Sequence, residues 1–264
     1  MTVRFVKMHG AGNDFVMIDN REEAFPMEER LLAAMAARGT GIGCEGVIFV
    51  QRSADADFRM RFFNPDGSEA ELCGNGARCV AAFARQIGAA PSDRMRFETM
   101  AGLVEAEIVG ANLVKVRMPE PKDLRANFVN SGVPHCIVPV DDLATVDVGG
   151  EGRRIRYSEE FAPRGTNVDF VRYGPPHAVA IRTYERGVEA ETGACGTGSV
   201  AAAVVGVAQY GLQFPVKVTT ARGFVLEIGG VFEDGRASSV TLTGPVKTVF
   251  AGEMDLSALD IGKE

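Results

Sequence analysis

The chain lacks tryptophan altogether and has only three histidines in 264 residues. Its five cysteines include no pair in C-x-x-C spacing. Zinc sites are typically built from clustered cysteine and histidine ligands, and thioredoxin-like dithiols from C-x-x-C, so neither kind of site is expected. We therefore predict no bound metal and no thioredoxin-like redox function.

An excess of positive charge is also missing. Acidic residues outnumber basic ones, which gives a net charge of −7 and an isoelectric point near 5.2. This balance argues against nucleic acid or an anionic membrane as the main partner. The N-terminus has no apolar signal-peptide core, and the longest apolar run, around Val200–Ala208, is too short to span a bilayer. These patterns predict a soluble, cytoplasmic protein.

Two of the cysteines precede a glycine-bearing turn and then an apolar run. Cys73-Gly74-Asn75-Gly76 leads into Val80–Ala84, and Cys195-Gly196-Thr197-Gly198 leads into Val200–Val205. Both patterns predict a cysteine at the start of a helix. The first N–H groups of a helix have no partner within it, and the helix dipole favours negative charge there. A thiol at such a position ionises more readily than a free cysteine, and the same N–H groups can bind a carboxylate.

The two cysteine motifs belong to an internal repeat. Cys73 and Cys195 are 122 residues apart, and other landmarks recur at nearly the same offset. The corresponding pairs are Gly10 and Gly132, Phe15–Ile18 and Ile137–Val140, Gly43 and Gly165, and Arg61-Phe62 and Thr183-Tyr184. A nearly constant offset is typical of a duplicated domain, so the sequence predicts two halves related by approximate two-fold symmetry.

Short segments rich in valine, phenylalanine and isoleucine predict strands in each half. We expect strands at Val3–Val6, Phe15–Ile18, Val47–Val50 and Phe58–Phe63. A helix is expected at Pro26–Ala37, whereas the corresponding segment Val148–Glu159 carries three glycines and is a poorer helix candidate. The predicted fold class is α/β (α+β), with residues 1–118 and 119–245 as the halves and the tail 246–264 returning to the first.

Two glycine-rich stretches are similar to nucleotide-binding motifs but lack the required context. Gly41–Gly46 fits G-x-G-x-x-G, but it follows a predicted helix and leads into a predicted strand, the reverse of the order in a dinucleotide fold. Gly193–Ser199 lacks the lysine of a P-loop. Neither stretch predicts a nucleotide cofactor.

Each polar candidate also has an ordinary structural interpretation. Free cysteines are among the most buried residues, and we expect Cys44, Cys79 and Cys136 to pack in the core. His135 could be a satisfied core histidine or a polar group of a site. Asparagines beside turns, as at positions 13, 64 and 167, often serve only the backbone. Glu185-Arg186 could be a solvated pair, although an arginine beside a helix terminus also suits a carboxylate.

Longer motifs resemble those of a known family. Lys7–Phe15 is similar to the opening segment of diaminopimelate epimerases, and Phe63–Cys79 and Tyr184–Gly198 resemble their first and second cysteine motifs. The resemblance extends from residue 7 to about Pro245. It implies an isomerase that interconverts LL- and meso-diaminopimelate, for lysine and peptidoglycan synthesis, without a cofactor.

The resemblance also implies a fold and a set of site residues. The fold would be two pseudo-symmetric domains, each a sheet or barrel wrapped around a central helix, with the active site in the cleft between them. Cys73 and Cys195 would be the acid–base thiols, and His135 a supporting residue. The expected substrate-binding residues are Asn13, Asn64, Gly74, Asn75, Asn167, Glu185, Arg186, Gly196 and Thr197. The expected partner is a small-molecule amino acid, and a homodimer is a further expectation.

Two positions depart from the family pattern. Val133 precedes Pro134-His135 where many members have an asparagine that contacts substrate. Glu45-Gly46 stands where some members have Asp-Gln. Both changes affect substrate recognition rather than the two thiols.

The expected chemistry is proton exchange at an amino-acid α-carbon by two bases. One thiolate removes the α-proton from one face, and the opposite thiol delivers a proton to the other face. A proline or hydroxyproline racemase, which resembles this architecture and also uses two cysteines, is the nearest alternative enzyme. A thiol redox protein or a ligand-binding protein without turnover is an alternative of a different class.

Overall fold

The computed structural model describes residues 1–259. Two compact units are present, Met1–Val116 together with the chain from Pro245 onward, and Arg117–Gly244. Residues 260–264 of the expected returning tail lie outside the described part. Every helix within residues 1–259 is too short or too polar to cross a membrane.

The first unit is a barrel of strands with one helix inside and one outside. Its helices are α1 (Glu29–Ala36) and α2 (Gly74–Gln86), and its strands are β1 (Thr2–Gly10), β2 (Asn13–Asp19), β3 (Val47–Gln51), β4 (Phe58–Phe63), β5 (Glu69–Ala70), β6 (Arg94–Thr99), β7 (Gly102–Gly110), β8 (Leu113–Arg117) and the end of β17 (Arg236–Asp255). Strands β2 and β3, and β4 and β6, pair in parallel, while the other neighbours are antiparallel. The N–H of Val246 donates to the carbonyl of Asn112, just before β8, which helps to close the eight-stranded barrel.

The second unit repeats this order of elements. Its helices are α3 (Val148–Arg156) and α4 (Gly196–Gln209), and its strands are β9 (Lys122–Arg125), β10 (Phe128–Asn130), β11 (Pro134–Pro139), β12 (Asn167–Gly174), β13 (Ala178–Glu185), β14 (Ala190–Thr192), β15 (Val216–Thr219), β16 (Val225–Glu233) and the start of β17. Strands β11 and β12, and β13 and β15, are the parallel pairs, matching β2–β3 and β4–β6. The predicted fold class of two pseudo-symmetric halves is therefore confirmed.

The strand register shows which residues correspond in the two units. In both, the same central strand has a parallel neighbour on one side and an antiparallel neighbour on the other. Together with the packing of Gly76 against Ile48 and of Gly198 against Asp169, this register aligns Phe15 with His135, Ile48 with Asp169, and Phe62 with Thr183. The constant offset of 122 is wrong by one or two residues at these strands, because the connecting segments differ in length: nine residues lie between Phe63 and Cys73, but ten lie between Tyr184 and Cys195.

A buried helix lies at the centre of each unit. Helix α4 is buried continuously from Gly198 to Gly206, and its residues are mostly alanine, valine and glycine. A helix that is apolar on all sides must be enclosed, and small side chains allow the surrounding strands to approach it closely. Helix α2 is enclosed in the same way, and its Val80, Phe83 and Ala84 belong to the core of the first unit.

The second helix of each unit packs on the outside of the strands. Helix α1 is shorter than the expected Pro26–Ala37 and buries Leu32 and Met35 against the sheet. The expectation of poor helix formation at Val148–Glu159 is wrong, because α3 forms there. The Asp147 side chain accepts the Gly150 N–H at 2.9 Å and so caps its first turn.

A glycine in α3 also allows close packing. A Cβ added at Gly152 would lie 2.5 Å from the Cβ of Tyr184 on β13, whereas one added at Gly149 would meet its nearest atom at 3.7 Å. Tertiary packing therefore explains a residue that reduces helix propensity.

We predict that Gly152→Ala destabilises the protein by about 1–3 kcal/mol, because overpacking against Tyr184 outweighs the gain in helix propensity. Gly149→Ala in the same helix is the matched control and should be neutral or stabilising by up to about 1 kcal/mol. Thermal and urea denaturation of both variants checks this. Equal stability of the two variants would contradict the close packing of α3 on β13.

Candidate active site

Each predicted cysteine immediately precedes the central helix of its unit. Cys73 is the N-cap of α2 and Cys195 is the N-cap of α4, and both have extended backbone, with φ of −121° and −112°. The predicted placement of both thiols at helix starts is therefore confirmed. The first turns, Gly-Asn-Gly and Gly-Thr-Gly, contain no acidic side chain that would neutralise the positive end of the helix dipole. Both positions can therefore attract an anion.

In the first unit, hydrogen bonds link Cys73 to two asparagines. The Sγ atom of Cys73 lies 3.5 Å from Oδ1 of Asn13, and Nδ2 of Asn75 donates to the same oxygen at 3.2 Å. Nδ2 of Asn13 donates to the carboxylate of Glu45. The predicted residues Asn13, Cys73 and Asn75 are thus brought together, and Glu45, which departs from the family pattern, joins them.

A buried arginine fixes the direction of this chain of bonds. Nη2 of Arg78 donates to Oδ1 of Asn75 at 2.7 Å, and Nη1 donates to the carbonyl of Gly74 at 3.1 Å. A guanidinium only donates and a carboxylate only accepts, so Arg78 at one end and Glu45 at the other orient both amides. The result places a carbonyl oxygen, rather than an amide nitrogen, of Asn13 against the sulfur of Cys73.

The guanidinium of Arg78 is fully buried on helix α2. Burial lowers the pKa of Arg78 to about 10, while the nearby Cys79 and Cys73 thiols act in the opposite direction. Arg78 is thus a buried positive charge close to the N-terminus of α2 and to Cys73. The sequence analysis did not identify Arg78, although a charged residue within an apolar helix was a visible signal.

An ion-pair network supports the loop that carries Glu45. Asp14 contacts Lys7 at 2.6 Å and Arg38 at 2.8 Å. Burial alone would raise the pKa of Asp14, but its bonds to Lys7 and Arg38 outweigh burial and lower the pKa. The ammonium of Lys7 also donates to the carbonyl of Gly43, so β1, β2 and the loop before β3 are held together.

Asn64 lies in the turn between β4 and β5. Its N–H donates to the carbonyl of Ser68 at 2.8 Å, and its Nδ2 donates to Oγ of Ser68 at 3.2 Å. These bonds give Asn64 a structural function in the turn. Its expected contact with substrate stays a prediction.

In the second unit, Cys195 is hydrogen-bonded to the first turn of its own helix. The Gly198 N–H donates to Sγ at 3.4 Å, and Oγ1 of Thr197 lies 3.4 Å from the same sulfur. Burial raises the pKa of the Cys195 thiol well above its usual value, and the charges of Glu185 and Asp169 raise it further. The contacts with Thr197 and Gly198 lower it only in part. At neutral pH this environment favours the protonated thiol.

Thr197 connects Cys195 to a buried polar chain. Oγ1 of Thr197 lies 3.0 Å from Nε2 of His135, and Nδ1 of His135 lies 2.6 Å from Oδ2 of Asp169. The other oxygen of Asp169 accepts from the hydroxyl of Thr183 at 2.7 Å. His135 and Asp169 have no exposed surface. The predicted supporting histidine is therefore directly bonded to the cysteine motif.

The second glycine of the Gly-Thr-Gly turn allows this approach. A Cβ at Gly198 would lie 2.6 Å from Oδ1 of Asp169. The carboxylate therefore packs directly against the first turn of α4. Asp169 and Thr183 were not predicted, although an acidic residue within the apolar run Val168–Val171 was the available signal.

The remaining predicted residues of the second unit lie beside this chain. Oδ1 of Asn167 accepts the N–H of Arg186 at 2.8 Å, and its Nδ2 donates to the carbonyl of Pro134 at 3.0 Å. These bonds fix the backbone at Glu185-Arg186. After burial, the charge of Glu185 contributes most to the raised pKa of the Cys195 thiol.

The other three cysteines have different environments. Cys44 and Cys79 are buried as expected, and burial raises the pKa of Cys79 to about 12. Cys136 is partly exposed. All five cysteines are free thiols.

Comparisons with known proteins identify the family. A family model described as diaminopimelate epimerase matches residues 5–123 and 127–249. The diaminopimelate epimerase of Aquifex aeolicus (strain VF5) is 42% identical, covering 98% of this chain and 100% of its own. That of Chlorobaculum tepidum is 41% identical, covering 94% of this chain and 100% of its own.

Solved structures of more distant proteins share the fold. A phenazine biosynthesis protein of the PhzF family from Bacillus anthracis covers 97% of this chain and 99% of its own, with a TM-score of 0.73 and 18% identity. A probable proline racemase from Agrobacterium radiobacter K84 covers 96% of this chain and 93% of its own, with a TM-score of 0.69 and 18% identity. These identities indicate a common fold alone. The family model and the relatives that match nearly the whole sequence show that the chain belongs to the diaminopimelate epimerase family.

Proposed function

We propose that this isomerase interconverts LL- and meso-diaminopimelate with two cysteine bases, Cys73 and Cys195. The observation that carries the proposal is the equivalent position of the two thiols, each the N-cap of a buried central helix in its own unit. Inversion at a carbon by two bases requires one group on each face. A duplicated domain supplies two such groups.

The reaction begins with removal of the α-proton by one thiolate. The other thiol then delivers a proton to the opposite face of the same carbon. The Cys195 environment favours the thiol, so Cys195 is suited to act as the acid in the first turnover. After one turnover the two cysteines have exchanged their protonation states, and the reverse reaction restores them.

The carbanion formed in this step must be stabilised. Its charge moves onto the adjacent carboxylate, which becomes enediolate-like. Backbone N–H groups at a helix N-terminus are fixed donors and need little reorganisation when this charge develops. We assign this function to Gly74-Asn75 on α2 and Gly196-Thr197 on α4.

Recognition of the distal end of the substrate falls to polar side chains. Diaminopimelate carries a second ammonium and a second carboxylate, which Glu185 and Arg186 complement in charge. The bonds of Asn167 to the backbone at Arg186 hold this pair in place. Asn13 and Asn64 complete the proposed contacts, and the reaction belongs to lysine biosynthesis.

We predict that Cys73→Ala and Cys195→Ala each lower epimerisation by at least about 1,000-fold, because either change removes one of the two proton-transfer groups. Product formation from LL-diaminopimelate is measured by chiral chromatography. Cys44→Ala removes a buried thiol outside the proposed mechanism and serves as the control. Turnover within a few-fold of the unmodified protein in either site variant would exclude that thiol.

The substrate is tested by hydrogen exchange in heavy water. We expect LL-diaminopimelate to gain deuterium at the α-carbon and to form the meso isomer, because Glu185-Arg186 matches its distal charges. L-Proline has no distal ammonium or carboxylate and should show no exchange. Exchange of L-proline at the higher rate would instead favour a proline racemase, and no exchange of either compound would favour a binding protein.

A further inference from the structure

Three equivalent positions have opposite chemistry in the two units. In the first unit they are Phe15, Ile48 and Phe62, all buried in one apolar core. In the second unit the register places His135, Asp169 and Thr183 at these positions, also buried. The first turn of the central helix confirms the equivalence, since a Cβ at Gly76 would lie 2.8 Å from Ile48, and one at Gly198 would lie 2.6 Å from Asp169.

The apolar set shows that apolar side chains are sufficient for packing at these three positions. Phe15 and Phe62 make an edge-to-face contact with ring centroids 6.1 Å apart, within the core cluster that also contains Ile48. A buried carboxylate and imidazole are costly to desolvate, and apolar residues of similar volume are often as stable or more so. The polar set in the second unit is therefore better explained by chemistry at Cys195 than by folding.

The direction of each hydrogen bond in this polar set follows from the carboxylate of Asp169, which can only accept. A carboxylate only accepts, so Asp169 takes the hydroxyl proton of Thr183 on one oxygen and the Nδ1 proton of His135 on the other. The Nε2 atom of His135 is then an acceptor and receives the hydroxyl proton of Thr197. The oxygen of Thr197 is left to accept from the thiol of Cys195.

We propose that Asp169 is a positioning residue that, through His135 and Thr197, controls the proton on Cys195. In the form in which both cysteines are protonated, the S–H bond of Cys195 breaks and its proton passes to Oγ1 of Thr197, while Cys73 keeps the proton that it later delivers to the substrate. Thr197 at the same time gives its own hydroxyl proton to Nε2 of His135. A thiolate and an imidazolium result, the net charge of the set is unchanged, and Asp169 stabilises the imidazolium.

This transfer offsets the unfavourable surroundings of a Cys195 thiolate. The charged groups that face the sulfur are Glu185 on β13 and Asp169 on β12, and both oppose a second negative charge. Once the proton lies on His135, the histidine carries a positive charge two hydrogen bonds from the sulfur. Thr197 then donates its hydroxyl to the thiolate instead of accepting from the thiol.

The first test uses Asp169→Asn, which removes the charge with little change in shape. The inference rests on the proposed function for its activity readout, so we expect kcat for diaminopimelate to fall by about 100-fold or more with a much smaller change in KM. Thr183→Val keeps the carboxylate but loses one of its donors and should reduce kcat less. Asp141→Asn, an exposed acid at the end of β11, is the control. A folded Asp169→Asn variant with kcat within threefold of the unmodified protein would overturn the proposal.

A double variant separates this function from a structural one. His135→Phe combined with Asp169→Ile copies two of the three apolar positions of the first unit into the second, and we expect an unchanged or raised melting temperature together with lost activity. A structural function for the polar set predicts instead a large loss of stability. That outcome, with activity retained in Asp169→Asn, would contradict the proposal.

A spectroscopic test does not depend on any enzymatic activity. The chain has only three histidines, so ¹⁵N NMR of histidine-labelled protein is readily assigned with a His135→Gln variant. We expect neutral His135 to carry its proton on Nδ1, and Asp169→Asn to weaken that preference. A proton on Nε2 in the unmodified protein would reverse the bonds that link His135 through Thr197 to Cys195 and overturn the proposal, whether or not diaminopimelate is the substrate.

Discussion

The placement of each thiol depends on enclosing a helix on all sides. Helices α2 and α4 are buried along most of their length, so their positions are fixed by contacts with the surrounding strands. The residue just before the first turn is therefore also held in a fixed position, and in each unit this residue is a cysteine. The N–H groups of the first turn lie beside the sulfur, so one local feature places a thiol next to the positive end of a helix dipole.

The repeated backbone does not impose repeated electrostatics. Arg78 places a buried cation near Cys73, whereas Glu185 and Asp169 place negative charge near Cys195. The same helix start therefore lies near a cation in one unit and near two acids in the other. Such a difference suits the proposed reaction, in which one group accepts a proton while the other donates one.

The sequence was informative where a signal was local. Glycine turns followed by apolar runs predicted both helix starts, and the recurrence of landmarks predicted the duplication. It was less informative at α3, because Gly152 is explained by Tyr184, a residue distant in sequence that packs against it. The offset of 122 failed at the strands for a related reason, since only pairing between strands reveals where a connecting segment has lengthened.

The site residues that the sequence did not reveal share one property: their function can be recognised only when their hydrogen-bond partners are known. Arg78 is a charged residue in an apolar helix until its bond to Asn75 is known, and Asp169 is an acid in an apolar strand until His135 is found beside it. Such residues conflict with the local pattern, and hydrogen bonds offset the cost of burying them: Arg78 donates through both Nη atoms, and Asp169 accepts on both oxygens. A duplicated chain offers a way to detect them. Where one half keeps an apolar residue and the other buries a charge at the same register position, packing alone accounts for the first, and the second requires a chemical explanation.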